Sequence, residues 1–127
     1  MIPKFRCFDK DTKTMHEVVA IDFKDWRVYY EAYGLRSYWN KNVALMQSTG
    51  LYDRHGVEIF QGDVVEIIYD EEPFIGVVVY DLGEADFKAT NNREDYGNNF
   101  QYLTVGESIE VIGNVHQHPE LLEVTDE

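Results

Sequence analysis

Cations are scarce in the second half of this 127-residue chain: residues 55–127 hold two, Lys88 and Arg93, against seventeen acids. Residues 1–54 hold nine Lys or Arg against seven acids, so the net charge of −13 divides into +2 and −15. A surface that poor in Lys and Arg repels a phosphate backbone, whose capture depends on cations that neutralise it. The plain reading of the acid excess is solubility through charge, and the sharper one is attraction of a basic partner or of the chain's own basic half. Cys7 is the only cysteine, which excludes an intrachain disulfide and a cysteine-based metal cluster. No apolar run approaches the roughly 18 residues of a membrane helix, and residues 1–6 lack the apolar core of a secretory signal. These absences lead to the expectation of a soluble, cytoplasmic protein with no membrane partner.

What is present is a succession of short apolar runs separated by turn signals. Residues 4–8 alternate polar and apolar, residues 9–13 read as a polar turn, and residues 15–23 form a second run, together an N-terminal hairpin. Residues 22–40 carry seven aromatics. With period two, Trp26, Val28, Tyr30 and Ala32 share a face; with helical spacing, Phe23, Trp26, Tyr30 and Tyr33 do. Aromatic and β-branched enrichment favours a strand, ended by Gly34. Residues 43–47 then read as a short buried strand, Asp53-Arg54-His55-Gly56 as a turn whose aspartate bonds its own backbone, and Gln61-Gly62-Asp63 as a second reversal. Residues 64–69 and 74–80 pair across an acidic turn, residues 70–73, whose proline is expected to stop pairing. Edge-like residues 85–89, a polar loop over 90–99, two closing runs and one helical turn after Pro119 complete the chain.

The fold class read from this pattern is mainly β: a small single-domain β-barrel or sandwich of short antiparallel strands, with an N-terminal hairpin and at most one short C-terminal helical turn. The single domain spans 1–127, with the hairpin and aromatic segment over about 1–41, a β core over about 42–118 and a frayed tail over 123–127.

Motifs for chemistry are few. His116-Gln117-His118 is the one spacing that could hold a metal, because residues two apart on an extended strand point to one face. A third ligand would have to come from His16, His55 or an acid, and the plainer reading is two surface histidines beside Pro119. Cys7, in an alternating strand, suits a small apolar packing role. Asp63 and Glu66 lie near each other, but Asp63 after Gly62 better suits capping of turn amides. No phosphate-cradling glycine run and no hydrolase motif occurs, so no catalytic, cofactor-binding or metal residue is assigned and a non-enzymatic protein is expected.

The combination Met46-Gln47, Thr49-Gly50-Leu51, Gly56, Ile59, Gly62-Asp63-Val64 and Gly76-Val77-Val78 resembles the YopX family of bacteriophage and prophage proteins. Lys4-Phe5-Arg6 and Phe8-Asp9-Lys10 extend the resemblance to the start of the chain. Residues 109–114, followed by Pro119-Glu120-Leu121-Leu122, extend it to the end. Departures fall at Cys7, in the aromatic segment 26–39 and in the loop 90–99. The resemblance implies a mainly β fold, a phage or prophage origin and a bacterial host, and supplies no catalytic residues.

Two functional readings follow. The first is a phage accessory protein that binds an unknown host or phage protein and forms homo-oligomers, with Trp26, Tyr29, Tyr33, Tyr38 and Trp39 as partner-binding residues. The second is a single-stranded nucleic-acid binder, in which Tyr30 joins those tyrosines and Trp39 among Lys24, Arg27, Arg36 and Lys41; the total charge stands against it. An uncharacterised enzyme is the third.

Overall fold

Alternation along the chain becomes a mainly β protein, with eleven strands and one short helix among the described residues. The computed structural model describes residues 3–31, 34–39, 42–91, 99–104 and 108–123, with the side chains of 35–39 and 123 outside that description. It resolves into two compact units, Met1–Ser48 and Thr49–Glu127.

The N-terminal unit is an antiparallel sheet of β1 (Phe5–Asp9), β2 (Thr14–Asp22), β3 (Arg27–Glu31), β4 (Leu35–Trp39) and β5 (Val43–Tyr52) in the order β4-β3-β2-β1-β5. The strand reading of residues 22–40 holds for Arg27–Glu31 and Leu35–Trp39, while residues 23–26 form a loop and Ala32 lies outside the described residues. Val28 and Tyr30 are buried on one face of β3 while Arg27 and Tyr29 are half-buried on the other, the period-two signature. Trp26 does not share that face: it closes the β2–β3 loop with φ 56°. Cys7, Val28, Tyr30 and Val43 form the core, flanked by Val18 and Leu45.

β5 continues past Ser48 into the C-terminal unit, where β6 (Glu58–Phe60) lies beside it. That unit holds a second antiparallel sheet of β7 (Asp63–Tyr69), β8 (Glu72–Asp81), β9 (Asp86–Thr90), β10 (Phe100–Tyr102) and β11 (Ser108–Asn114), in the order β10-β9-β8-β7-β11. Helix α1 (Glu120–Glu123) follows Pro119 as a single turn. Ile59, Val65, Ile67, Val78, Ala89 and Leu103 make its core; fully burying one such aliphatic side chain contributes about 1.5–3 kcal/mol.

Three hairpins share one device. Asp9, Asp22 and Asp81 each end a strand, a four-residue loop follows, and its last residue (Lys13, Trp26 or Ala85) takes a positive φ. In each, the aspartate Oδ1 accepts the amides two and three residues on, at 2.9 and 3.2 Å for Asp9, 2.9 and 3.2 Å for Asp22, and 2.8 and 3.4 Å for Asp81. The carboxylate thus satisfies donors that the reversal removes from the ladder.

The β7–β8 turn is tighter than expected. Tyr69 pairs with Glu72, leaving Asp70 and Glu71 as a two-residue loop with φ 52° and 65°, the primed geometry whose twist matches paired strands. Pro73 does not stop the ladder: it pairs with Ile68. β9 reaches β8 only from Val77 onward, so among the described residues Pro73 sits where β8 has one strand neighbour, a place where a missing N–H is tolerated.

A non-glycine residue in the left-handed region carries about 1–2 kcal/mol of strain. Glu71→Gly is therefore expected to raise unfolding stability by about 1 kcal/mol, read as a higher denaturant midpoint at unchanged slope. Gly76 presents the opposite case, because a Cβ there would lie 2.9 Å from the backbone N and C of Thr90. Gly76→Ala should push β9 away and cost about 1–3 kcal/mol, measured in the same titration.

Candidate functional site

β1 and β2 pair from Asp9 opposite Thr14 to Arg6 opposite Glu17, and there their ladder ends. β1 stays with β5 through Phe5 opposite Gln47, and the Lys4 carbonyl accepts the Ser48 amide at 2.8 Å. β2 instead follows β3, with a bulge between Val18 and Ala20 that displaces Val19 from the register. The parting leaves a groove of about 380 Å³, with Pro3, Lys4 and Phe5 on one wall and residues 18–21 and Phe23 on the other. Bulges re-aim a side chain in this way, and Val19 is 55% exposed. Phe23, 70% exposed, and Trp26, 60% exposed, both lie in the adjoining β2–β3 loop. Three large apolar side chains are thus left in water on β2 and the loop that follows it, beside the groove.

Of the aromatics expected to bind a partner, Trp26 is on this surface and Tyr29 is half-buried on β3. Tyr33 lies outside the described residues, and Tyr38 and Trp39 belong to β4, whose side chains are also outside them. Tyr30, counted in the nucleic-acid reading, is a core residue whose hydroxyl donates to Asp9 Oδ2 at 2.5 Å while His16 stacks on its ring at 3.9 Å. Val19 and Phe23 were not expected as surface anchors. The signal for Phe23 was Asp22, which starts the same four-residue turn that Asp9 and Asp81 start.

The ionisable clusters serve structure. The Lys88 ammonium is buried between Asp81 Oδ2, at 2.6 Å, and Glu84, beneath the rings of Phe100 and Tyr102 at 4.0 and 5.3 Å. Hydrogen bonds to Asp81 and Glu84 outweigh the effect of burial and hold its proton more tightly than in a free lysine, which withholds the amine from nucleophilic work. Burial, with the charge of Asp9 added, pushes the Cys7 thiol up to about 11, so it is neither ionised nor accessible. Asp53 accepts the amides of His55 and Val57 through Oδ1, at 2.9 and 2.8 Å, and that of Val111 through Oδ2 at 3.0 Å. Together with the Arg54 amide on the Ile109 carbonyl at 3.0 Å, this ties the turn to the outer edge of β11, which shields that edge from pairing with another chain. Asp63 Oδ2 accepts the Phe60 amide at 2.8 Å, the capping role read from its place after Gly62.

His116 and His118 sit in and just after a turn, not on an extended strand. The premise that both rings face one side therefore fails: Asn114 Oδ1 takes the amides of His116 and Gln117, and the Asn114 amide donates to His118 Nδ1 at 3.2 Å. Among the described residues no three metal-ligating side chains come together.

The family model described as YopX protein matches residues 4–123. The crystal structure of YopX from Bacillus subtilis is similar at TM-score 0.60 and 26% identity, covering 93% of this chain and 96% of that one. The crystal structure of EF1440 from Enterococcus faecalis is similar at TM-score 0.59 and 24% identity, covering 96% of this chain and 99% of that one. No curated protein matches the chain at a significant level.

Burial raises the pKa of Asp9 and Asp53, but hydrogen bonds outweigh it and hold both carboxyls below the usual range, from Tyr30, Thr12 and Asp11 for Asp9 and from Val111, Val57 and His55 for Asp53. Asp81 is held low by Lys88 first and by turn amides next. A folded pKa below the unfolded one, about 3.9, contributes stability that is complete above that value and is lost as pH falls through the folded pKa. Melting temperature is expected to be flat above about pH 5 and to fall below about pH 4, with a shallower fall in Asp9→Asn.

Proposed function

We propose that this chain, which belongs to the YopX family, is a non-enzymatic accessory protein of a bacteriophage or prophage that binds other protein and self-associates. The observation that carries the reading is the pair of exposed aromatics, Phe23 and Trp26, on a loop beside an apolar groove. Large amphipathic or aromatic anchors next to a pocket are the usual energetic centre of a protein interface. Among the described residues no helix is long and apolar enough to cross a membrane.

The charge favours protein over nucleic acid as partner. Of the four cations that would surround the tyrosines in the nucleic-acid reading, Lys24 is exposed and Arg27 half-buried, and the side chains of Arg36 and Lys41 are outside the described residues. The net charge of −13 works against the approach of a phosphate backbone. Lys88, one of the three cations of the C-terminal unit, is enclosed by its own carboxylates.

Sedimentation velocity over a range of concentrations, with the protein free of nucleic acid, is expected to show mass-action self-association. Truncating a central aromatic costs about 2 kcal/mol of binding, so Phe23→Ser and Trp26→Ser should each weaken association about 30-fold at unchanged melting temperature. A monomer at every concentration that also retains no protein from nuclease-treated host lysate overturns the reading. Retention that disappears with nuclease moves the same loop to a nucleic-acid role.

A further inference from the structure

We propose that the groove of the N-terminal unit receives an extended segment of a partner protein, added as a strand along the edge of β2. This rests on the protein-binding reading above and names how the partner is held.

The lining shows what the groove is made of. Side chains of a strand alternate between two faces, yet residues 18–21 all line this one groove, with no residue skipped. Consecutive residues share a cleft when it runs along the edge of their strand, so this wall is main chain flanked by apolar side chains. Residues 3–5 form the facing wall in the same consecutive way.

The ladders show why that edge is open. β2 is divided between two neighbours: residues 14–17 pair with β1, and residues 18–22, apart from the bulged Val19, pair with β3. Among the described residues no second strand pairs with 18–22, because β1 has by then turned to β5, with Phe5 opposite Gln47. Main-chain donors and acceptors of this stretch that point away from β3 therefore face the groove outside any ladder.

Other sheet edges are guarded. The Asp53 turn bonds the outer edge of β11, and β6 and β10 are three residues each. The edge of β2 is five residues, Val-Val-Ala-Ile-Asp, and its one carboxylate, on Asp22, caps its own turn. An apolar edge of that kind is a template for a further strand.

The same walls select the occupant. A small apolar molecule would meet the side chains and leave the main-chain groups to water. A helix bonds its own main chain and has none to offer sideways. An extended polypeptide supplies both, with main-chain bonds at a strand spacing of about 4.8 Å and every second side chain laid against Phe5, Val19 and Phe23. It prolongs the β1–β2 ladder outward from its last pair, Arg6 opposite Glu17. The segment is thus one with apolar residues at alternate positions, the requirement of strand addition.

Amide hydrogen exchange of the full chain tests the edge first. Alternate amides within residues 18–22 are expected to exchange several-fold faster than the ladder amides of residues 6–9; equal protection in the free protein would overturn the open edge. Peptides selected from a displayed random library are the probe. A selected peptide is expected to slow those amides several-fold, to shift resonances of residues 3–5 and 18–26, and to bind several-fold more weakly to Phe23→Ser. N-methylation of one alternate set of its amides should abolish binding, and N-methylation of the other set should not. Binding that survives both sets, binding at another surface, or an empty selection would each overturn strand addition. If the chain then still self-associates or retains protein from nuclease-treated lysate, the protein-binding reading stands without this mode; if it does neither, both fall.

Discussion

Backbone amides at chain reversals are the polar groups an antiparallel fold leaves without ladder partners, and here aspartate carboxylates take them. Asp9, Asp22 and Asp81 cap three four-residue loops in the same way, and Asp53 and Asp63 cap two further turns. A buried amide left unsatisfied would cost about 1–3 kcal/mol, which makes the device count most at the part-buried or buried turns of Asp9, Asp53 and Asp63. Asp9 shows how far it reaches: one oxygen holds the turn while the other accepts Tyr30, which joins the β1–β2 loop to the core of the same unit. Part of the acidity of this chain is therefore structural.

The remaining acidity is divided. Lys88, the buried cation of β9, is matched by two carboxylates and two rings, a fully partnered arrangement that a desolvated charge requires. Glu110 is met by Arg54 and His55. Once these pairs are made, acids such as those at the β7–β8 tip face water with no described cation of their own unit beside them. Such charge favours solubility and directs the choice of partner by repulsion as well as attraction.

The groove lies where the scaffold is locally incomplete. β1 and β2 stop pairing at Arg6 because β1 keeps its place beside β5 while β2 bulges towards β3. The groove is the consequence of those two commitments. The β2–β3 loop adds exposed aromatics because its turn geometry is satisfied by Asp22 and needs nothing from Phe23 or Trp26. Side chains released from a structural role are free to meet a partner.

Much of this was legible in the residues. Period-two alternation and the turn residues identified the mainly β class, the N-terminal hairpin, the Asp53–Gly56 turn and the pairing of β7 with β8, because burial of one sheet face imposes that period directly. The family, too, could be read from spaced glycines and their neighbours. What periodicity could not decide was where residues 22–40 reverse, since Trp26 looks like a face residue in either reading and only its left-handed backbone in the β2–β3 loop removes it from the face. The tight β7–β8 turn escaped for a similar reason: Asp-Glu is not the pair that left-handed geometry prefers, and ladder register imposed it. The histidine pair failed because the strand ends at Asn114, whose side chain caps a turn in place of continuing it. Local composition thus determined which segments are strands and which residues want burial. Only tertiary structure decided which apolar side chains stay in water and where two neighbouring strands part, because exposure and strand separation depend on which partners compete for each strand, and that competition is not written in any one segment.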